Sequence, residues 1–160
     1  CSSDLTCIHP AKKLEVGQRL ALLALAKDYG IEGIPSPSPT YKSMEREKDK
    51  LVISFNNLSE PYKFNDANSI VGFSETGTMR LQGFEIAGED RVFYPATAHM
   101  KWWENKIMVS SDKVPEPVAV RYAFKNFCPE ANVKTNYGLP LAPFRTDNWE
   151  IPAEEIGEIR

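Results

Sequence analysis

A chain of 160 residues, 42% hydrophobic and 26% charged, carries material for one apolar core with an appendage, and its composition is not that of a disordered segment. Its 19 basic and 22 acidic residues leave a net charge of −3, which excludes the cationic field of a nucleic-acid binder. No basic amphipathic helix is present for a membrane surface, and the longest apolar run, LALLALA at 20–26, falls far short of the ~20 residues that span a bilayer, so no membrane span is expected and small neutral or polar partners are.

At the front of the chain, Cys1 and Cys7, with Cys128 far downstream, are too few and too scattered for a disulfide framework. With His9 and His99 they do not make a zinc ligand set, so neither a structural metal nor a cofactor is expected. Cys1 reads as an ordinary cysteine at a cut or processed end rather than a lipid-bearing residue, because the CIHP element follows without a polar spacer; a Cys1–Cys7 bridge stays open. His9 stands directly before Pro10. Proline suits the first helical position, where its missing N–H has no partner to lose, and Gly30 suits the left-handed residue beyond a helix end, which together predict a helix near 11–29. Val16, Leu20 and Leu23 form one stripe, with Lys12, Glu15 and Arg19 off it, and the middle of the helix is apolar all round. Such a helix packs between layers. A single helix followed by strands has too little of its own chain to bury against, so the expectation is that a sheet or helices from another chain, or from sequence outside these residues, cover it.

The segment GIPSPSPTY at 33–41 has a proline at every second position from Pro35 to Pro39, which predicts an extended linker at 34–40. It separates an N-terminal unit, 1–33, from a second domain at 41–150, with 151–160 as a tail. After the linker the period changes from 3.6 to 2: LVISF alternates Leu51, Ile53 and Phe55, FEIAG closes on a Gly-Glu-Asp turn before RVFYPATAHM, and KIMVSS and PVAVRYAF follow. The fold class predicted is mainly β with one N-terminal helix, the strands forming a two-layer sandwich or jelly roll. The charge run KSMEREKDK at 42–50 reads as a solvated hairpin turn.

Most chemical motifs are absent: there is no glycine-rich phosphate loop, no G-x-S-x-G elbow and no carboxylate pair whose spacing argues for acid and base roles. His9 is the exception. The fixed φ of Pro10 can aim an imidazole as a general base at a nucleophile arriving from elsewhere, although on the residues alone the plainer reading is a helix-start histidine with a satisfied ring. Trp102, Trp103, Trp149 and several tyrosines offer flat surfaces that stack on sugar rings, against the alternative of core packing. Trp102 and Trp103 point to opposite faces if they share a strand. Arg121 in VRYAF and Arg145 in PFRTD are read as members of structural ion pairs.

The stretch IHPAKKLEVGQRLALLALAKDYG resembles the closing helix of the SGNH-type hydrolase domain in sialate O-acetylesterases, where a catalytic His precedes Pro in the pattern H-P-x-x-K-x-x-V-G-x-R-L-A. Here those positions are His9, Pro10, Lys13, Val16, Gly17, Arg19, Leu20 and Ala21. GFEIAGEDRVFYPA, VPEPVAVRYAF and GLPLAPFRTDNW resemble the C-terminal region of the same family, in the same order, so the likeness runs over nearly the whole chain. It implies that 1–33 is the last piece of an α/β hydrolase domain and that the parent is an extracellular or periplasmic esterase. Such an enzyme removes acetyl groups from O-acetylated carbohydrate through Ser attack, His proton transfer and an acyl-enzyme intermediate. His9 is then the general base. The family's orienting Asp, three residues before the His, is Thr6 here, so the orienting role falls to Asp4 from a different spacing or to a backbone carbonyl. The nucleophile and the oxyanion donors are expected upstream, in a hydrolase portion acting as partner, so the isolated chain is expected to be inactive. The alternative from a different class is an accessory carbohydrate-binding or structural β-sandwich module without catalysis.

Overall fold

The computed structural model describes residues 13–58, 70–72, 81–101, 104–125 and 128–151. Among these residues the one helix, α1, is Lys13–Lys27, with Glu15 in the first turn and Lys27 in the last, each complementing the helix dipole. Past Lys27 the helix widens: the Tyr29 N–H bonds the carbonyl of Ala24 at 3.1 Å. Gly30, at a left-handed φ of 64°, turns the chain so that the Ile31 N–H folds back to Leu25 O at 3.0 Å, as its position after the apolar run predicts.

Among the described residues, everything after the helix is strand, turn or loop. In chain order these are β1 (Thr40–Glu47), β2 (Lys50–Asn56), β3 (Ile70–Gly72), β4 (Phe84–Ala87), β5 (Phe93–Pro95), β6 (Thr97–Lys101), β7 (Lys106–Ser110), β8 (Ala119–Tyr122), β9 (Val133–Thr135) and β10 (Phe144–Arg145). They form two four-stranded antiparallel sheets, ordered β1-β2-β7-β6 and β10-β8-β4-β5, and β3 pairs with β9 as a small third sheet. The chain is thus mainly β behind one helix. It passes between the large sheets at Ala96, whose N–H bonds Phe84 O at 3.0 Å, and again before β8, where the Val118 N–H bonds Ala87 O at 2.9 Å.

The period of 2 decides which side chains meet. Leu51, Ile53 and Phe55 of β2 and Ile107 and Val109 of β7 turn inward from the first sheet; Phe84, Ile86, Val120, Tyr122 and Phe144 meet them from the second, and all are buried in one core. Ile53, Ile86, Ile107, Val109 and Val120 retain 0% exposure, so shortening any of these isoleucines to Ala costs about 2–5 kcal/mol. Aromatic rings close one end: Tyr41 stacks on Phe144 at 5.2 Å, and Phe84 tilts against Tyr122 at 4.7 Å. The Tyr122 hydroxyl, buried with its ring, accepts the Val133 N–H at 3.1 Å, tying β8 to β9.

Two segments differ from the sequence reading in an instructive way. The charge run at 42–50 is mostly strand: β1 takes it up to Glu47, and only Lys48 and Asp49 make the turn, Lys48 in the left-handed region at φ 56°. Charged residues suit this strand because it lies at the margin of its sheet, five of its eight residues are exposed, and a shift between Tyr41 and Ser43 carries Lys42 out of register. The proline segment, read as an extended linker, has no regular structure, bends at Pro37 with a cis Ser36–Pro37 peptide, and is docked at its far end. Pro39 is fully buried, its carbonyl accepts the Ala142 N–H at 3.0 Å, and the Ser38 carbonyl accepts Asn57 Nδ2 at 3.1 Å.

Candidate functional site

The residues to which the sequence assigns chemistry, His9 and Asp4, lie outside the described residues, as do Cys1, Cys7, Trp102 and Trp103. What the structure describes is the element that follows His9 and the sandwich behind it. No residue of α1 is buried: Leu14 is 75% exposed, Val16 40% and Leu20 62%, and Leu23 is half-buried. Val16, Leu20 and Leu23 lie within about 60° of one another around a helix of 3.6 residues per turn. They form the stripe the sequence predicts, with Leu14 on the opposite side. Covering a leucine is worth about 1.5–3 kcal/mol, so α1 carries several kcal/mol of binding energy that the sandwich does not use.

A second concentration of chemistry lies on the outer face of the β10-β8-β4-β5 sheet. Strand alternation turns Arg121 of β8 outward beside Glu85 of β4, and Phe93 of β5 outward on the same face. Over that face runs the segment after β10. The chain peels away at Thr146, whose Oγ1 accepts the Val120 N–H at 2.9 Å and donates to Val120 O at 3.2 Å. Asp147 then meets Arg121 in a two-pronged pair, Nε to Oδ2 and Nη2 to Oδ1, both 2.9 Å, with side-chain exposures of 6% for Arg121 and 0% for Asp147. Burial pushes the Asp147 carboxyl up, but the hydrogen bonds and charge of Arg121 outweigh it and hold the group below the usual carboxylate range. The Arg121 guanidinium lies 4.0 Å from the centre of the Phe93 ring and 5.4 Å from Phe124. Arg145, 5.4 Å from Phe124, donates to Trp149 O at 3.2 Å.

Arg121 and Arg145 are therefore members of a structural ion pair network, as the sequence suggests; Asp147, at the centre of it, was not singled out, although the spacing R-x-D in FRTD was its signal. Trp149 is engaged as well. Phe93 tilts against it at 5.7 Å and the Arg91 guanidinium stands 5.5 Å over its ring, so the surface that a sugar would stack on is already taken up by the protein. Among the described residues there is no group of His, Cys, Asp and Glu arranged to hold a metal ion, and His99, the described histidine, stands exposed on β6. Cys128 is buried, and burial, then Glu130, push its thiol up, away from nucleophile chemistry. No helix among the described residues is long and apolar enough to cross a membrane. The described residues present a helix with an uncovered stripe and fasten the segment after β10 with a buried ion pair.

No family model matches the chain, and no curated protein does. Among solved structures it is similar to a carbohydrate acetylesterase from Xanthomonas citri, with 36% sequence identity over 89% of this chain and a TM-score of 0.75. The chain spans 30% of the length of that protein.

Proposed function

We propose that this chain is the C-terminal part of a carbohydrate esterase that hydrolyses acetyl esters on sugar hydroxyls. The observation that carries the reading is the 36% identity, over 89% of the chain, to a carbohydrate acetylesterase. The motif likeness to sialate O-acetylesterases points to the same chemistry and to an extracellular or periplasmic protein. In this reading 1–33 completes an SGNH-type hydrolase domain. A serine outside this chain attacks the acetyl carbonyl, and His9 takes the serine proton and returns it to the departing sugar oxygen. Asp4 orients the imidazole. The uncovered stripe on α1 supports this arrangement, since the hydrolase portion is what a helix at that point packs against. The sandwich at 41–150 braces that portion. An accessory sugar-binding role for the sandwich is less well supported, because the ring of Trp149 is spent on Arg91 and Phe93.

The test is a graft. The matching stretch of the Xanthomonas citri acetylesterase is replaced by this chain, and acetyl release from acetylated oligosaccharides is compared for the graft and its His9→Ala variant, with melting as the folding control. Turnover by the graft, abolished in the folded His9→Ala protein, supports the reading. A folded graft in which His9→Ala is fully active overturns the role of His9.

A further inference from the structure

The proline segment and the residues before it behave as two different things in this structure. From Lys27 to Gly33 every residue is exposed, whereas Ile34 to Ser38 are half-buried and Pro39 is completely buried. Both glycines of the exposed stretch have positive φ, 64° at Gly30 and 78° at Gly33, and a side chain added at either meets nothing within 4 Å. Nothing packs on the Cβ side of either position, the cap bond from Ile31 N–H to Leu25 O is local to the helix end, and glycine has the widest backbone freedom of any residue. The prolines beyond have a fixed φ and no N–H to satisfy, so the segment, which bends at Pro37 with a cis Ser36–Pro37 peptide, reaches the sandwich with little backbone freedom. Its end is gripped from two sides. Asn57, just past β2 and itself left-handed at φ 63°, donates Nδ2 to Ser38 O at 3.1 Å, and Ala142, just before β10, donates its N–H to Pro39 O at 3.0 Å. These two bonds come from opposite sheets of the sandwich, since β2 and β10 belong to different ones.

We infer that residues 34–39 belong to the β sandwich as a fixed strut with Asn57 as its clamp, and that the joint on which α1 turns is Gly30–Gly33. The strut sets where the joint stands, and the joint lets the helix adjust its angle to what covers its stripe. That last purpose rests on the reading of the chain as part of an esterase; the mechanics do not. In such an enzyme the joint allows α1 to seat on the hydrolase portion without distorting the sandwich.

The experiment is backbone ¹⁵N relaxation on the 160-residue chain, with Asn57→Gly as the variant. Glycine keeps the left-handed backbone available and removes only the amide, so the fold is retained. Order parameters at Ser36 and Ser38 are expected near the rigid value of about 0.85, like the strands, with a drop toward about 0.6 across Gly30–Gly33 and independent tumbling of α1. In Asn57→Gly the values at Ser36 and Ser38 fall toward those of the joint while β2 and β7 stay rigid. Low order parameters at Ser36 and Ser38 in the parent overturn the strut, and a rigid Gly30–Gly33 overturns the joint. Unchanged values in Asn57→Gly remove Asn57 from its role. None of these results bears on acetyl release, so loss of this inference and loss of the esterase reading are told apart.

Discussion

Replacing Asp147 by Asn tests whether the ion pair under the C-terminal segment is a structural fastening. The two Asp147 oxygens each take one Arg121 donor at 2.9 Å, and 6% and 0% of the two side chains remain exposed. Asp147→Asn keeps the shape, removes the counter-charge and turns one acceptor into a donor aimed at the guanidinium. Breaking a buried pair by removing one partner costs about 3–5 kcal/mol. The contact of Arg121 with the Phe93 ring at 4.0 Å survives the change, which places the expected loss near the lower end, about 3 kcal/mol. For a chain of this size that lowers the melting midpoint by roughly 6–12 °C, measured by circular dichroism at neutral pH and checked by urea titration. The carboxyl has a lowered pKa in the folded chain, so the unfolded chain binds the proton more readily. The stabilisation is therefore present above the ordinary carboxylate pKa of about 3.9 and is lost as pH falls through the folded value. The parent melts with a steeper acid dependence than Asp147→Asn. Arg121→Met combined with Asp147→Leu recovers most of the loss, because an apolar pair needs no counter-charge. A single variant within about 0.5 kcal/mol of the parent, or an unchanged acid slope, refutes the reasoning.

Tyr122→Phe takes the acceptor from the Val133 N–H and is expected to cost about 1–3 kcal/mol by urea titration. Burial pushes the Tyr122 phenol up to about 12 and raises that of Tyr41 as well, so ultraviolet titration shows late tyrosine ionisation, and the stability Tyr122 contributes is lost as pH rises from about 10 through that value. Gly83→Ala places a methyl 3.0 Å from Ala131 Cα at a φ of 93°; strain and overlap together destabilise by roughly 2–5 kcal/mol, read as a lower melting midpoint. Leu20→Asp, at a position 62% exposed, leaves the melting of this chain within about 0.5 kcal/mol, yet in the Xanthomonas citri graft it lowers acetyl release or soluble yield, because there the stripe is covered. The isolated chain shows no acetyl release from aryl acetate beyond that of free imidazole, since one missing oxyanion donor alone costs about 10²–10³ in rate.

The features legible in the sequence are those written with a period or a cap. The run from Val16 to Leu25 and the stop at Gly30 mark α1, and the alternation of Leu51, Ile53 and Phe55 marks β2 and its inward face. β9 and β10 escaped the reading because three and two residues cannot display a period. β1 escaped because its charges look like a turn; only the pairing of Glu45 with Val52 and of Arg46 with Leu51 makes it a strand. For the candidate site, the residue types of the arginine network were visible in VRYAF and FRTD. What was not visible was that the chain doubles back after Thr146, which brings Asp147 to a partner 26 positions earlier. His9 remains a reading from motif likeness.

The substitution of a hydroxyl for a strand partner at Thr146 bears on how this protein survives crowding. A sheet that ends with open N–H and carbonyl groups is a template on which another chain can polymerise. Beyond the two residues of β10, the next such groups on β8 belong to Val120, and Thr146 occupies both, through its backbone N–H at 3.1 Å and its hydroxyl at 2.9 and 3.2 Å. An incoming strand finds no ladder to extend there. At the edge of the other sheet β1 discourages addition by other means, with Lys42, Glu45, Arg46 and Glu47 in one strand. Thr146→Val, nearly equal in volume, keeps the apolar contacts and the backbone bond to Val120 O but reopens the Val120 N–H, and is expected to form more fibre than the parent on agitation, read by thioflavin fluorescence.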